Sequence, residues 1–300
     1  MKQPNAANQP KQKDRAGGRR DPASVLAAST FSAGILLLPG RLQRDARRLY
    51  HVLRTIDDLV DDSDPRAEER VQAIEAWARG HETKTPEVAK LRTLARQYPL
   101  SRRAFLDFCE GMRHDLAGEE VMTDADLRRY CEQAGGSVGV MLACLLGTSH
   151  PDGEEKMRTL GTAMQHTNIL RDIDEDYEHG RLYIPQSTIR LYGAPWPGAR
   201  EQLLRREIAQ ADLLYEQAHG AIEMLVDGQQ AMALSAALYR DILRQIEREG
   251  FGRKAGSVKV PEWRKAVIVA EHLRPRPQSA HGARARKSNS RSLPPTKPNQ

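Results

Sequence analysis

Cysteine is nearly absent from this chain. Three occur in 300 residues, Cys109, Cys131 and Cys144, and no two form a CxxC pair. A zinc knuckle or a redox dithiol therefore lacks its ligands, and the sparse odd count suits a reducing cytoplasm. Long apolar runs are missing too. The longest, Ser137 to Leu146, is about half of a membrane span. The basic N-terminus is followed by no apolar core, so no secretory signal is visible. No P-loop occurs. Gly135-Gly136-Ser137-Val138-Gly139 follows no strand, so it is not a dinucleotide fingerprint and NADPH is not indicated. Runs of alternating β-branched residues are absent, as are internal repeats.

Charge is plentiful but unevenly placed. Residues 1–20 carry +5 and residues 274–300 carry +7, so a net of +6 leaves −6 on the residues between. The basic balance belongs to two tails too poor in apolar surface to order themselves. This argues against a specific nucleic-acid-binding domain. Two disordered basic tails, 1–20 and 274–300, are expected around one body, 21–273. The tails can meet an anionic membrane surface through their charge. The expected location is cytoplasmic, with peripheral membrane contact.

The body reads as helix throughout. Candidate helices run over 22–37, 41–62, 66–79, 86–97, 101–117, 124–146, 155–178, 200–226, 229–249 and 262–272. Residues 180–198, with three prolines and three glycines, read as a long loop. An all-α body of this size is a layered bundle.

Two acidic segments stand out, 115 residues apart. In the first, Asp57 and Asp61 share a helix face, with Arg54 and Tyr50 one and two turns earlier. In the second, Gln165, Asn168, Asp172 and Asp176 follow a 3, 4, 4 spacing and are expected on one face, with Arg171 beside them and Arg181 and Tyr183 after. Either segment alone also reads as a solvated acidic helix end. Opposed across a bundle, the two would offer the hard oxygen ligands that Mg²⁺ selects and shares with substrate phosphates. Nearby arginines suit the same phosphate oxygens. The implied chemistry is activation of a diphosphate. A literal His114-Asp115 pair raises a metal phosphohydrolase, but it leaves the aspartate segments unexplained.

These residues resemble the phytoene/squalene synthase family over nearly the whole body. Tyr50-x3-Arg54-x2-Asp57-Asp58-x2-Asp61 is similar to its first aspartate-rich motif. Gln165-x-Thr167-Asn168-Ile169-x-Arg171-Asp172-x2-Glu175-Asp176-x3-Gly180-Arg181-x-Tyr183 is similar to its second. Gly111-Met112-x2-Asp115, Tyr130-Cys131 and Val260-Pro261-x-Trp263-Arg264-Lys265 resemble further segments. The resemblance implies an isoprenoid-synthase helical bundle with a central active-site cavity. It implies Mg²⁺-dependent, head-to-head joining of two prenyl diphosphates through a cyclopropyl diphosphate, giving phytoene or a C30 relative. Three Mg²⁺ ions would sit on Asp57, Asp61, Asn168, Asp172 and Asp176. Arg54 and Arg171 would hold diphosphate, with Arg181 near it. Tyr50, Tyr130, Gln165 and Tyr183 would serve the reacting centre, and Phe31, Val138 and Met141 would contact the prenyl chain. Two departures appear. Glu120-Val121 stands where the family has an Arg-Tyr pair. Gly256-Ser257 stands where it has paired arginines, with Arg253 and Lys254 just upstream to take over. The second departure keeps open a terpene cyclase that ionises a single prenyl diphosphate on the same fold.

Overall fold

Several helices start where the sequence supplies a hydroxyl to accept an orphan amide. Thr85 accepts from Val88 N–H, with Pro86 in the first helical position, and Ser101 accepts from Ala104 N–H. Thr123 and Asp126 close a reciprocal capping box. Such caps satisfy donors that a helix start leaves unpaired.

The computed structural model describes residues 32–273, and the regular elements among them are helices. They are α1 (Ser32–Ile35), α2 (Gly40–Asp61), α3 (Ala67–Ala78), α4 (Pro86–Ala95), α5 (Arg102–Ala117), α6 (Asp124–Cys131), a π-turn (Glu132–Gly136), α7 (Ser137–Leu146) and α8 (Gly153–Glu178). The chain continues through α9 (Gln186–Tyr192), α10 (Glu201–Gln217), α11 (Gln229–Arg248) and α12 (Glu262–Leu273). The expected all-α bundle is observed. Phe31 and the segments 1–20 and 274–300 lie outside the described residues.

Helix α8 is the axis of the bundle. It packs against the π-turn, α7, α10 and α11, while α2 packs on α5 and α7 from the other side. Helix α2 explains itself from sequence. Ala46, Leu49, Val52, Leu53, Ile56 and Val60 recur at helical spacing and are all buried. Each such leucine, valine or isoleucine contributes about 1.5–3 kcal/mol on leaving water. Arg54, Asp57 and Asp61 fall on the flank of that stripe.

Three expected elements differ. The expected helix 124–146 is broken by the π-turn, which sets Gly135 and Gly136 directly against α8. The expected helix 200–226 ends at Gln217. Gly220 follows with φ +84°, and residues 224–227 leave the helix to pair with the backbone of 146–149. The expected loop 180–198 contains α9, whose first amides are satisfied by a distant segment: Gln186 and Ser187 N–H donate to the carbonyls of Val121 and Met122, between α5 and α6.

Candidate active site

A cavity of about 190 Å³ runs between α2, α5, α8 and α11. Phe108, Met112, Leu142, Met157 and Leu160 give it an apolar wall. Polarity rises along both long helices toward their C-terminal ends. On α2 the lining passes from Tyr50 and Leu53 to Arg54 and Asp57; on α8 it passes from Met157, Leu160 and Met164 to Gln165 and Asn168. Neither helix has a basic residue in its last turn. The negative ends of two helix dipoles therefore coincide with acidic side chains, where cations are favoured.

The two acidic segments do face each other. Asp176 is raised to about 8, first by burial and then by Asp172 and Asp61, with Arg181 pulling the other way. Asp57 is raised to about 7 by burial, then by Asp61, with Arg54 opposing. The Asp57 carboxyl is 37% exposed, but part of what it faces is this largely apolar cavity, so burial still acts on its charge. Arg54 donates to Asp57 Oδ2 at 2.7 Å and pairs with Asp58 at 2.7 Å. Burial works against the Arg54 charge, yet Asp57 and Asp58 outweigh it and raise its pKa. Arg181 bridges the two segments, donating to Asp61 and to the Val60 carbonyl.

Asn168 Oδ1 is buried and has no hydrogen-bond partner. A buried acceptor left open is costly unless something fills it. Among the described residues, no three acidic, imidazole or thiol groups converge tightly enough to enclose an ion by themselves. The donor set is nonetheless the hard one that Mg²⁺ takes when phosphate and water complete its shell. The residues fit such an ion: mutually repelling carboxylates plus one open amide oxygen.

The face expected over 165–176 is not continuous. Gln165 and Asn168 line the main cavity, but Asp172 has φ −110° and ψ 15° inside α8 and opens onto a second cleft. That cleft, about 320 Å³, is lined also by Arg171, Glu175, Ser257, Lys259 and Lys265. Arg171 Nε donates to both oxygens of Asp172, at 2.9 and 3.0 Å. Arg171 thus lies in the second cleft rather than the main cavity. Arg253 and Lys254 line neither; Lys259 and Lys265 are the lysines that reach the second cleft. Gly256 N–H donates to Asp174 at 2.7 Å and Ser257 Oγ to Asp172 at 2.7 Å. Val121 is a core residue, buried above α9.

Tyr130 and Tyr183 stack at 4.6 Å between ring centroids. Both donate to Asp115, at 3.0 and 2.7 Å. Burial and then the Asp115 charge push both phenols well above their usual range, so they stay protonated. Asp115 was not among the expected site residues, nor was Tyr239, which also lines the cavity. Two buried phenols need an acceptor, and that need was the available signal for Asp115. Val138 lines the cavity. Met141 does not: it is fully buried and its place on α7 turns it into the core. No helix among the described residues is long and apolar enough to cross a membrane.

The chain is 32% identical over 273 residues to a phytoene synthase of Thermus thermophilus, covering 84% of this chain and 92% of that one. It is 32% identical over 255 residues to a presqualene diphosphate synthase of Zymomonas mobilis, covering 79% and 87%. A crystal structure of a dehydrosqualene synthase superposes with a TM-score of 0.75 at 28% identity, over 84% of this chain and 93% of the other. The family model for squalene/phytoene synthase matches residues 26–264, and with the motifs and the all-α cavity in hand the chain belongs to the squalene/phytoene synthase family.

Proposed function

We propose that this prenyltransferase condenses two prenyl diphosphates head to head, through a cyclopropyl diphosphate, to give phytoene or a C30 relative. One observation carries the reading: the acidic ends of two helices face each other, Asp61 against Asp176, beside a largely apolar cavity that Asp57 and Asn168 line. The relatives named phytoene synthase and presqualene diphosphate synthase support the same reaction class.

Asp57, Asp61, Asn168, Asp172 and Asp176 would hold Mg²⁺, about three ions per site in the family's manner. Bound there, Mg²⁺ supplies positive charge to a departing diphosphate. The protein's own groups do the rest. Arg54, Arg171 and Arg181 donate to phosphate oxygens once released from their carboxylate partners. The wall formed by Phe108, Met112, Val138, Leu142 and Leu160 seats the prenyl chains and keeps water from an allylic cation. The ring faces of Tyr50, Tyr130 and Tyr239 stabilise positive charge. The stack on Asp115 holds Tyr130 in place, with Tyr183 as its backing and Gln165 beside the reacting centre.

Incubating the full chain with geranylgeranyl or farnesyl diphosphate and Mg²⁺, without NADPH, tests this. Mass spectrometry is expected to find a hydrocarbon with twice the carbon count of the substrate. A cyclic product with one substrate's carbon count would replace condensation by single-substrate cyclisation. A dimeric product that appears only with a reductant would point to squalene.

The catalytic unit in this reading is residues 21–273, in the cytoplasm, and the basic ends contribute peripheral membrane contact. Deleting residues 274–300 is expected to weaken binding to vesicles containing anionic lipid and to leave product formation unchanged. Equal vesicle binding by both chains would sink the membrane role.

A further inference from the structure

We propose that Ser257 is a positioning residue that commits one oxygen of Asp172 and leaves the other for a divalent cation, favouring Mg²⁺ over Ca²⁺. The inference rests on the metal-binding reading above.

The Ser257 hydroxyl donates to Asp172 Oδ1 at 2.7 Å. Its backbone is fixed from both sides. On one side, Gly256 N–H donates to Asp174 Oδ2 at 2.7 Å. Asp174 is in turn gripped by both Nη atoms of the buried Arg200, at 2.7 and 2.9 Å. Arg200 also holds the carbonyls of Gly252 and Lys254, each at 3.0 Å. On the other side, Val258 N–H donates to the Arg171 carbonyl at 3.2 Å. The hydroxyl is thus delivered to Asp172 by a strap whose own bonds do not involve the Asp172 side chain.

A carboxylate has about four lone-pair positions. On Oδ1 the Ser257 hydroxyl and Arg171 Nε use the two available. On Oδ2 only Arg171 bonds. When Arg171 turns to a phosphate, Oδ2 is freed completely and Oδ1 only by half, because Ser257 keeps one of its two positions. Asp172 can then bind an ion through one oxygen more readily than through two. Mg²⁺ demands near-octahedral geometry and suits a single carboxylate oxygen, whereas Ca²⁺ accepts bidentate carboxylates in a larger, looser shell. Hydrogen-bond partners of metal ligands commonly set affinity by 10–100-fold.

The test is a titration of the full-length protein with Mn²⁺ alone, followed by electron paramagnetic resonance, with Mg²⁺ and Ca²⁺ as competitors. Product formation and thermal melts are measured on the same preparations. The wild type is expected to bind Mn²⁺ and to release it to Mg²⁺ more readily than to Ca²⁺. Ser257→Ala is expected to weaken Mn²⁺ binding on the order of tenfold and to shrink the Mg²⁺-over-Ca²⁺ preference by a similar factor. Ser257→Thr, which keeps the hydroxyl, is expected to restore both. An Ala variant with wild-type affinity and preference overturns the proposal. So does a folded Thr variant that behaves like Ala, or a wild type that binds no Mn²⁺. If product forms in all three proteins and only the metal preference fails to move, the positioning role falls and the condensation reading stands. If the wild type yields no prenyl product, the condensation reading falls by itself.

Discussion

Asp176→Asn is expected to lower turnover by on the order of 10³ and to raise the melting temperature of the metal-free protein. The two effects have one cause. Asp176 sits where burial, Asp172 and Asp61 all oppose its charge, and its pKa is raised to about 8. The folded state therefore holds a proton more tightly than the unfolded chain, whose aspartate titrates near 3.9. Between those values the folded protein binds more protons, so this group's contribution to stability falls as pH rises, and is lost above about pH 8. Asn keeps the shape and removes the charge. In EDTA the variant should melt a few degrees above wild type at pH 8, and the two should converge near pH 4. Mg²⁺ should raise the wild-type melting temperature and leave the variant nearly unmoved. Losing a preorganised charged group at a reacting centre costs on the order of 10²–10³ or more in rate. A variant that melts below wild type at pH 8 in EDTA, or that keeps its turnover, would remove Asp176 from the site.

Gly161→Ala should unfold the protein at a lower temperature, by about 4–8 °C. A Cβ on Gly161 would lie 2.3 Å from the Gly135 carbonyl oxygen and 3.2 Å from the Gly136 Cα. Both are backbone atoms, so no side chain can swing aside. Alanine gains about 1 kcal/mol of helix propensity over glycine. Overpacking in a closed contact costs about 1–3 kcal/mol or more, and a backbone clash this short belongs at the top of that range. Steric cost wins, and about 2 kcal/mol of net loss gives the stated shift for a domain of this size. Gly40→Ala is the contrast, because nothing lies within 4 Å of its would-be Cβ. That substitution should be neutral or mildly stabilising in the same melts. Since Gly135 and Gly161 also line the cavity, the Gly161 variant should lose product as well. Equal melting of the two variants would refute the close contact.

Helix existence was legible because periodicity and breakers agree along most of the body. Asp57 and Asn168 were marked by helix spacing that lets two acidic faces oppose across a bundle, whereas Tyr130 was marked by the family resemblance. Three features were not legible. Periodicity assumes an unbroken 3.6-residue repeat, so the π-turn at 132–136 and the bend at Asp172 shift the faces that follow them. Met141 was named beside Val138 for the prenyl chain, yet three residues on along α7 it is fully buried and faces the core. The loop reading of 180–198 followed its prolines and glycines, but α9 draws its support from backbone partners at Val121 and Met122. Nothing local signals those partners. Ser257 was visible only as a missing arginine. Its bond to Asp172 spans 85 residues and depends on a buried Arg200 that sequence spacing cannot connect to either.

The strap around Ser257 also orders events in time. Helices α2 and α8 carry both acidic faces, and a ribosome finishes them well before residues 252–260. Until that late segment emerges, Asp172 and Asp174 lack the hydroxyl and amide donors that settle them, and Arg200 lacks two of its carbonyl acceptors. N-terminal parts of a chain generally fold first during synthesis. Here the early part is a bundle whose charged centre is complete in composition but unsettled in geometry. The last tenth of the body supplies those donors, so a chain stopped near residue 250 is expected to lack an ordered second cleft.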